Sequence, residues 1–175
     1  MKIFLVRHGE TTGDLEDRYG GNYDDHLTLH GRDQLQETAE KLVDKNIEII
    51  FTSNLIRARE SAEIIQAQIK CPVEVVEGIE ERNYGVLAGL TKSEALEKYP
   101  ELVEAHKNPE NTDPEGESLV DFQNRTLEAF KGVFSKNCST VVIVSHGGPL
   151  KQVMKYLNMP IPLKIGDGEI IEVSI

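Results

Sequence analysis

Two segments share one grammar: an apolar run, then a histidine, then glycine. One is Val6-Arg7-His8-Gly9-Glu10-Thr11, which follows Ile3-Phe4-Leu5. The other is Ser145-His146-Gly147-Gly148, which follows Thr140-Val141-Val142-Ile143-Val144. A neutral imidazole carries a lone pair near pH 7 and can attack as a nucleophile. An arginine presents a planar fork of donors suited to phosphate or carboxylate, and glycine lets the backbone approach a ligand closely. A third apolar run, Ile47-Glu48-Ile49-Ile50-Phe51, ends at Thr52-Ser53-Asn54, with Arg57 about one helical turn beyond Ser53. Arg7, His8, Arg57 and His146 together have the chemistry to attack an anionic group. Taken alone, Arg7-His8-Gly9 supports another reading equally well: a strand-terminal pair that caps a sheet edge.

These side chains can act together only if the chain brings the runs to one place. A short continuous apolar run bounded by glycine reads as a strand buried on both faces of an α/β sheet. In such sheets ligands bind just past the carboxyl ends of the strands. Leu35, Ala39, Leu42 and Val43 recur at helical spacing, as do Leu55, Ala58, Ala62, Ile65 and Ile69. Thr52-Ser53-Asn54 is a cluster of good caps for the second of these helices. Val73-Glu74-Val75-Val76 reads as a short strand. Ser118 caps a helix through Leu119, Phe122, Thr126, Ala129, Phe130 and Val133, and Pro149 suits the first position of a helix with Leu150, Val153, Met154 and Leu157. Ile171, Val173 and Ile175 alternate as a last strand. Strands alternating with helices predict an α/β layered domain. If the strands of the two histidine segments run parallel, both histidines reach the same end of the sheet. The N-terminus of the helix carrying Arg57 would add a positive dipole end.

Two stretches fall outside this alternation. Thr12 to Leu27 is a polar loop too long for a simple connector, and long loops in compact domains tend to be functional. Residues 77–117 are poorer in apolar residues and are broken by Pro100, Pro109 and Pro114. Thr91 with Glu94 makes a capping box for a helix around Ser93 to Lys98. This part reads as an excursion folded over one end of the sheet.

The chain has 175 residues, enough for one domain with a proper core. Its hydrophobic content of 39% and charged content of 28% are ordinary for a soluble globular protein. A net charge of −11 argues against a nucleic-acid partner. It makes an anionic ligand plausible only where positive charge gathers in one cleft, and Arg7, Arg57, the two histidines and a helix start would form such a pocket. Cys71 and Cys138 are far apart and show no metal-ligand spacing, so a free thiol in a reducing compartment is the expectation. No stretch is long enough to span a bilayer and no signal peptide is evident. No membrane partner and a cytoplasmic location are therefore expected. His26, His30 and His106 read as ordinary solvated residues. Arg18 and Arg82 are open between a structural and a ligand-facing role.

At this level of detail the sequence resembles the histidine phosphatase superfamily, the phosphoglycerate mutase-like group. Arg7-His8-Gly9-Glu10-Thr11 matches its defining motif, continued by Leu15 to Gly21, Asp24, Leu27-Thr28 and Gly31. Thr52-Ser53-Asn54-Leu55-Ile56-Arg57-Ala58, Glu80-Glu81-Arg82-Asn83-Tyr84-Gly85 and Ser145-His146-Gly147-Gly148 match three further blocks in order. The resemblance covers nearly the whole chain. It implies a three-layer α/β/α sandwich with a mostly parallel central sheet, a single domain over residues 1–175, and residues 86–117 as a lid-like excursion. It implies that His8 attacks phosphorus to form a phosphohistidine, while Arg7, Arg57 and His146 hold the phosphoryl oxygens. Glu81 would be the general acid and base; Glu80 is its rival, and the motif favours Glu81. Substrate-binding roles follow for Asp14, Gly20, Gly21, Tyr84, Lys92 and Gly147. No metal and no cofactor are implied, the partner being a small phosphorylated substrate. Oligomeric state is open, a homodimer included.

The match departs from the family pattern in three places. Asp14 stands where an Asn is usual, the arginine pair of the mutases has no counterpart between Glu94 and Ser118, and Ala88 replaces a Glu that many of the phosphatases carry. A mutase must keep water from its phosphorylated intermediate, which favours a long lid and added cations. The expectation is therefore a phosphomonoesterase of the histidine acid phosphatase type acting on a small phosphorylated metabolite. Cofactor-dependent phosphoglycerate mutase-type transfer is the alternative, followed by a non-catalytic phospho-ligand binding module.

Overall fold

In a computed structural model describing residues 1–175, the first strand sets the pattern for the rest. In β1 (Lys2–Arg7), Ile3 and Leu5 point to one side and Phe4 and Val6 to the other, as the period of two in a strand requires. All four are buried. Each side must be covered, and helices cover both. Ile3 and Leu5 join a cluster with Val141, Ile143, Phe130 and Val133 of α6 (Leu119–Phe134), and Leu150 and Val153 of α7 (Gly147–Tyr156). Phe4 and Val6 join Val142, Val144, Leu35 and Ala39 of α2 (Leu29–Leu42), and Ala58, Ala62 and Ile65 of α3 (Ile56–Ile69). The result is the expected three-layer α/β/α sandwich.

The sheet has five strands in the order β3-β2-β4-β1-β5, where β2 is Ile49–Thr52, β3 Val73–Val75, β4 Thr140–Ser145 and β5 Ile170–Ser174. Four are parallel and the edge strand β5 is antiparallel to β1. In this register Arg7 pairs with Ser145 and Thr52 with Val144. The residues just beyond the three strands, His8, Ser53 and His146, therefore lie level at one end of the sheet.

Several boundaries differ from the sequence reading. The second strand starts at Ile49 rather than Ile47. The last helix starts at Gly147, so Pro149 is its third residue. α3 is not capped by the Thr52-Ser53-Asn54 cluster: its N-cap is Leu55, and Asp24 Oδ1, from the long polar loop before α2, accepts from Ile56 N–H at 3.0 Å. Ser53 is instead engaged by His146, beneath the cleft. The polar loop opens with a short helix, α1 (Thr12–Leu15), and the excursion holds α4 (Lys92–Lys98), with the expected capping box, and α5 (Pro100–His106). The Arg82 side chain ties the excursion together by donating to the carbonyls of Pro109, Asn111 and Glu117 at 2.7, 2.9 and 3.0 Å. No helix is long and apolar enough to cross a membrane.

Candidate active site

At the carboxyl end of the sheet lies a cleft of about 140 Å³, lined by Arg7, His8, Thr11, Gly13, Asp14, Arg18, Gly20, Gly21, Tyr23, Asp25, Arg57, Glu81 and Gly147. Tyr23 is the one apolar ring in this lining, so the cleft is built for a polar ligand.

The protonation pattern at its floor follows from the partners. His8 Nδ1 lies 2.8 Å from the Gly9 carbonyl, which can only accept, so Nδ1 carries the proton. Nε2 is left as the lone-pair nitrogen, and the Arg57 Nε–H points at it from 3.3 Å. Burial, followed by the charges of Arg57 and Arg7, holds the His8 pKa well below the usual histidine value, against the raising effect of the Gly9 carbonyl. His8 is thus a neutral imidazole that lines the cleft, its Nε2 lone pair accepting from Arg57. The same logic sets His146. Its Nδ1 accepts from Arg57 Nε at 3.2 Å, so Nε2 carries the proton and donates to Ser53 Oγ at 2.9 Å. Burial first, then Arg57 and His8, also lower its pKa well below the usual value. The two rings lie 5.1 Å apart. His146 is fully buried behind the floor. In this arrangement it supplies no N–H to the cleft and makes its contact with the site through Arg57.

Arg57 is anchored on every side. Its Nη1 donates to the Tyr23 carbonyl at 2.7 Å and to Asp25 Oδ1 at 2.8 Å, and its Nη2 donates to the Gly21 carbonyl at 2.9 Å. Asp25 and Tyr23 were not found from the sequence. Asp25 is buried, and the Tyr23 hydroxyl lies 3.4 Å from its other oxygen. Burial, then Asp25, push the Tyr23 phenol up to about 12, so it stays neutral. The only local signal was that both sit in the long loop singled out above; no spacing rule links that loop to Arg57.

Glu81 faces the cleft from the far side. Its two carboxylate oxygens accept backbone N–H bonds from Arg82 and Gly148, each at 2.9 Å. Glycine at 148 leaves room for this carboxylate, since a Cβ there would stand 2.1 Å from Glu81 Oε1 and push it aside. Glu80 turns away, 3.3 Å from Arg125 Nη1. Of the two candidate carboxylates, Glu81 alone lines the cleft.

The other sequence candidates divide. Gly20, Gly21, Gly147 and Asp14 line the cleft. Asp14 Oδ2 accepts from the Thr11 N–H and hydroxyl, both at 2.9 Å, as the capping box of α1. Arg18 lines the cleft, paired with Glu16 and donating to the Gly89 carbonyl, while Arg82 is structural. Tyr84 and Lys92 do not line the cleft. Tyr84 packs edge-on against His106 at 4.7 Å, and Lys92 Nζ sits 3.9 Å above the Tyr19 ring. His106 is not simply solvated either, since its Nδ1 lies 2.7 Å from the buried Asp113. The expected positive pocket is not positive by count: three arginines face three carboxylates. Attraction for an anion here depends on where the donors point.

The sequence matches the model of the histidine phosphatase superfamily (branch 1) over residues 3–167. It is 31% identical to the uncharacterized phosphatase PhoE of Bacillus subtilis over 153 residues, covering 87% of this chain and 75% of that one. It is 32% identical to a 2,3-bisphosphoglycerate-dependent phosphoglycerate mutase of Cytophaga hutchinsonii over 162 residues, 89% of this chain and 76% of that one. Among solved structures, Bacillus stearothermophilus YhfR superposes with a TM-score of 0.89 at 28% identity, covering 99% of this chain and 91% of that one. The relatives thus include both phosphatases and mutases. The chain belongs to the histidine phosphatase superfamily, branch 1.

Proposed function

We propose that the protein is a phosphomonoesterase that hydrolyses a small phosphorylated metabolite through a phosphohistidine on His8, without a metal. The observation that carries this reading is the neutral His8 at the polar cleft, with Nδ1–H committed to Gly9 and Nε2 left as the lone-pair nitrogen, held by the Arg57 Nε–H. In the first step Nε2 attacks phosphorus; the N–P bond forms as the ester P–O bond breaks, and Glu81 gives its proton to the leaving oxygen. In the second step Glu81 takes a proton from water, which attacks phosphorus; the N–P bond breaks and inorganic phosphate leaves. Arg57 and Arg7 hold the phosphoryl oxygens as their charge redistributes, and His146 keeps Arg57 oriented from behind. Tyr84 and Lys92, which match residues that the family's mutases use to hold their substrate, lie outside the cleft, and this favours hydrolysis over mutase transfer.

The test is phosphate release from a panel of sugar phosphates, phosphoglycerates and nucleotide monophosphates with chelator present. Turnover, with acid-labile phosphate on the protein that is absent from His8→Ala, is expected. No release from any ester, or isomerisation of 3- to 2-phosphoglycerate in place of hydrolysis, would overturn the reading.

A further inference from the structure

Arg7 is gripped by a segment that the reaction above does not use. Between α7 and β5 the chain runs through Ile165-Gly166-Asp167-Gly168-Glu169 across the end of β1. The Gly168 N–H donates to the carbonyls of Arg7 and His8 at 3.1 and 3.2 Å, and the Arg7 N–H donates to the Glu169 carbonyl at 3.3 Å. The Thr38 hydroxyl on α2 donates to the Gly168 carbonyl at 2.6 Å. Gly168 adopts a φ of +70°, a conformation open to glycine at little cost. The segment is therefore fixed at both faces, and two groups on it reach the Arg7 guanidinium. The Ile165 carbonyl accepts from Nη1 at 2.7 Å, and Asp167 Oδ1 lies 2.9 Å from the same nitrogen. The Asp167 approach is charge to charge rather than a directed hydrogen bond, since Oδ1 has no hydrogen-bond partner. On its other edge Arg7 has an orphan: Nε is buried and bonded to nothing. A buried donor without an acceptor is costly and calls for one from a ligand.

We infer that Asp167 is a positioning residue for phosphoryl transfer: paired with Arg7 Nη1, it turns the guanidinium so that the Nε–H edge meets the phosphoryl oxygens in the transition state. This rests on the phosphoryl-transfer reading of His8. Asp167 does not line the cleft, so it acts through Arg7. The charge of Arg7 alone would attract a bound ester and its transition state nearly alike. Orientation separates them, because the oxygens flatten from tetrahedral to trigonal as the phosphoryl group moves.

The test uses the full chain with Asp167→Asn, which removes the charge at constant shape, and Asp167→Glu, which restores it with a longer reach. Turnover of p-nitrophenyl phosphate is measured with the affinities for orthovanadate, which adopts a trigonal bipyramid, and for inorganic phosphate. In Asp167→Asn, kcat should fall about tenfold with KM within about twofold. Vanadate affinity should fall about tenfold while phosphate affinity moves less than about twofold, and Asp167→Glu should recover part of both losses. An unchanged kcat would overturn the inference. So would vanadate and phosphate affinities that shift together, upward for a plain charge effect or downward with the melting temperature for a structural one. Should the wild-type chain turn over no ester, the proposed function fails by itself, and the ratio of vanadate to phosphate affinity still decides for or against Asp167.

Discussion

The two walls of the cleft are built differently. The sheet wall carries His8, Arg57 and His146, all buried, each tied to the next through Arg57 Nε. Asp25, Gly21 and Tyr23 brace the same guanidinium from the loop side. The opposite wall contributes Glu81, held by two backbone amides, and behind it the excursion, held by Arg82 on three carbonyls and by His106 against Asp113. On the first wall side chains define one another's protonation and direction; on the second, backbone groups hold one side chain in place. The sheet wall would serve any phosphoryl group.

This contrast can be broken from either side. The largest effect belongs to the sheet wall: His8→Ala should lower kcat by roughly 10⁴-fold or more, measured as phosphate release, because the covalent route is lost. Arg57→Ala should cost about 10²–10³-fold in kcat, the range for removing one transition-state donor. Asp25→Asn should cost about tenfold in kcat, since the carbonyls of Tyr23 and Gly21 still hold Arg57. If Asp25→Asn were as damaging as Arg57→Ala, Asp25 would have to be counted among the essential groups.

The pH response separates activity from stability. His8 stays neutral in the fold well below its usual value, so kcat/KM should show no loss of nucleophile near pH 6.5. Stability behaves differently. Below about pH 6.5 the unfolded chain protonates its histidines while folded His8 and His146 stay neutral. The unfolded state then binds more protons, and stability is lost as pH falls, at a limiting slope of about 1.4 kcal/mol per pH unit for each histidine, until the depressed folded pKa values are reached. Denaturant melts from pH 8 to 5 would show it, and the slope should be shallower in His8→Asn. The smallest effect belongs to the second wall: Lys92→Ala should change kcat/KM for p-nitrophenyl phosphate by less than about twofold, as its ammonium rests on Tyr19 outside the cleft.

The residue types needed for phosphoryl transfer, and their order along the chain, were legible in the sequence: His8 and His146 each follow an apolar strand, Arg57 follows a third, and Glu81 is set in its own block. The layers were legible too, because Ile3, Phe4, Leu5 and Val6 read as a strand buried on both faces, and hydrophobic periodicity is a local property. The capping box at Thr91 and the Ser118 N-cap are equally local. What needed the tertiary structure were contacts between loops. Asp25 meets Arg57, and Asp167 meets Arg7 from near the other end of the chain. The same holds for Ser53 turning to His146 instead of capping its helix, and for Tyr84 and Lys92 turning to aromatic neighbours. A side chain's partner in a loop depends on the path of distant backbone, which no short window of sequence encodes. So the sequence by itself marked the candidate groups for the proposed chemistry; the folded chain decided their protonation and their direction, since both are set by neighbours that only the fold brings within hydrogen-bonding reach.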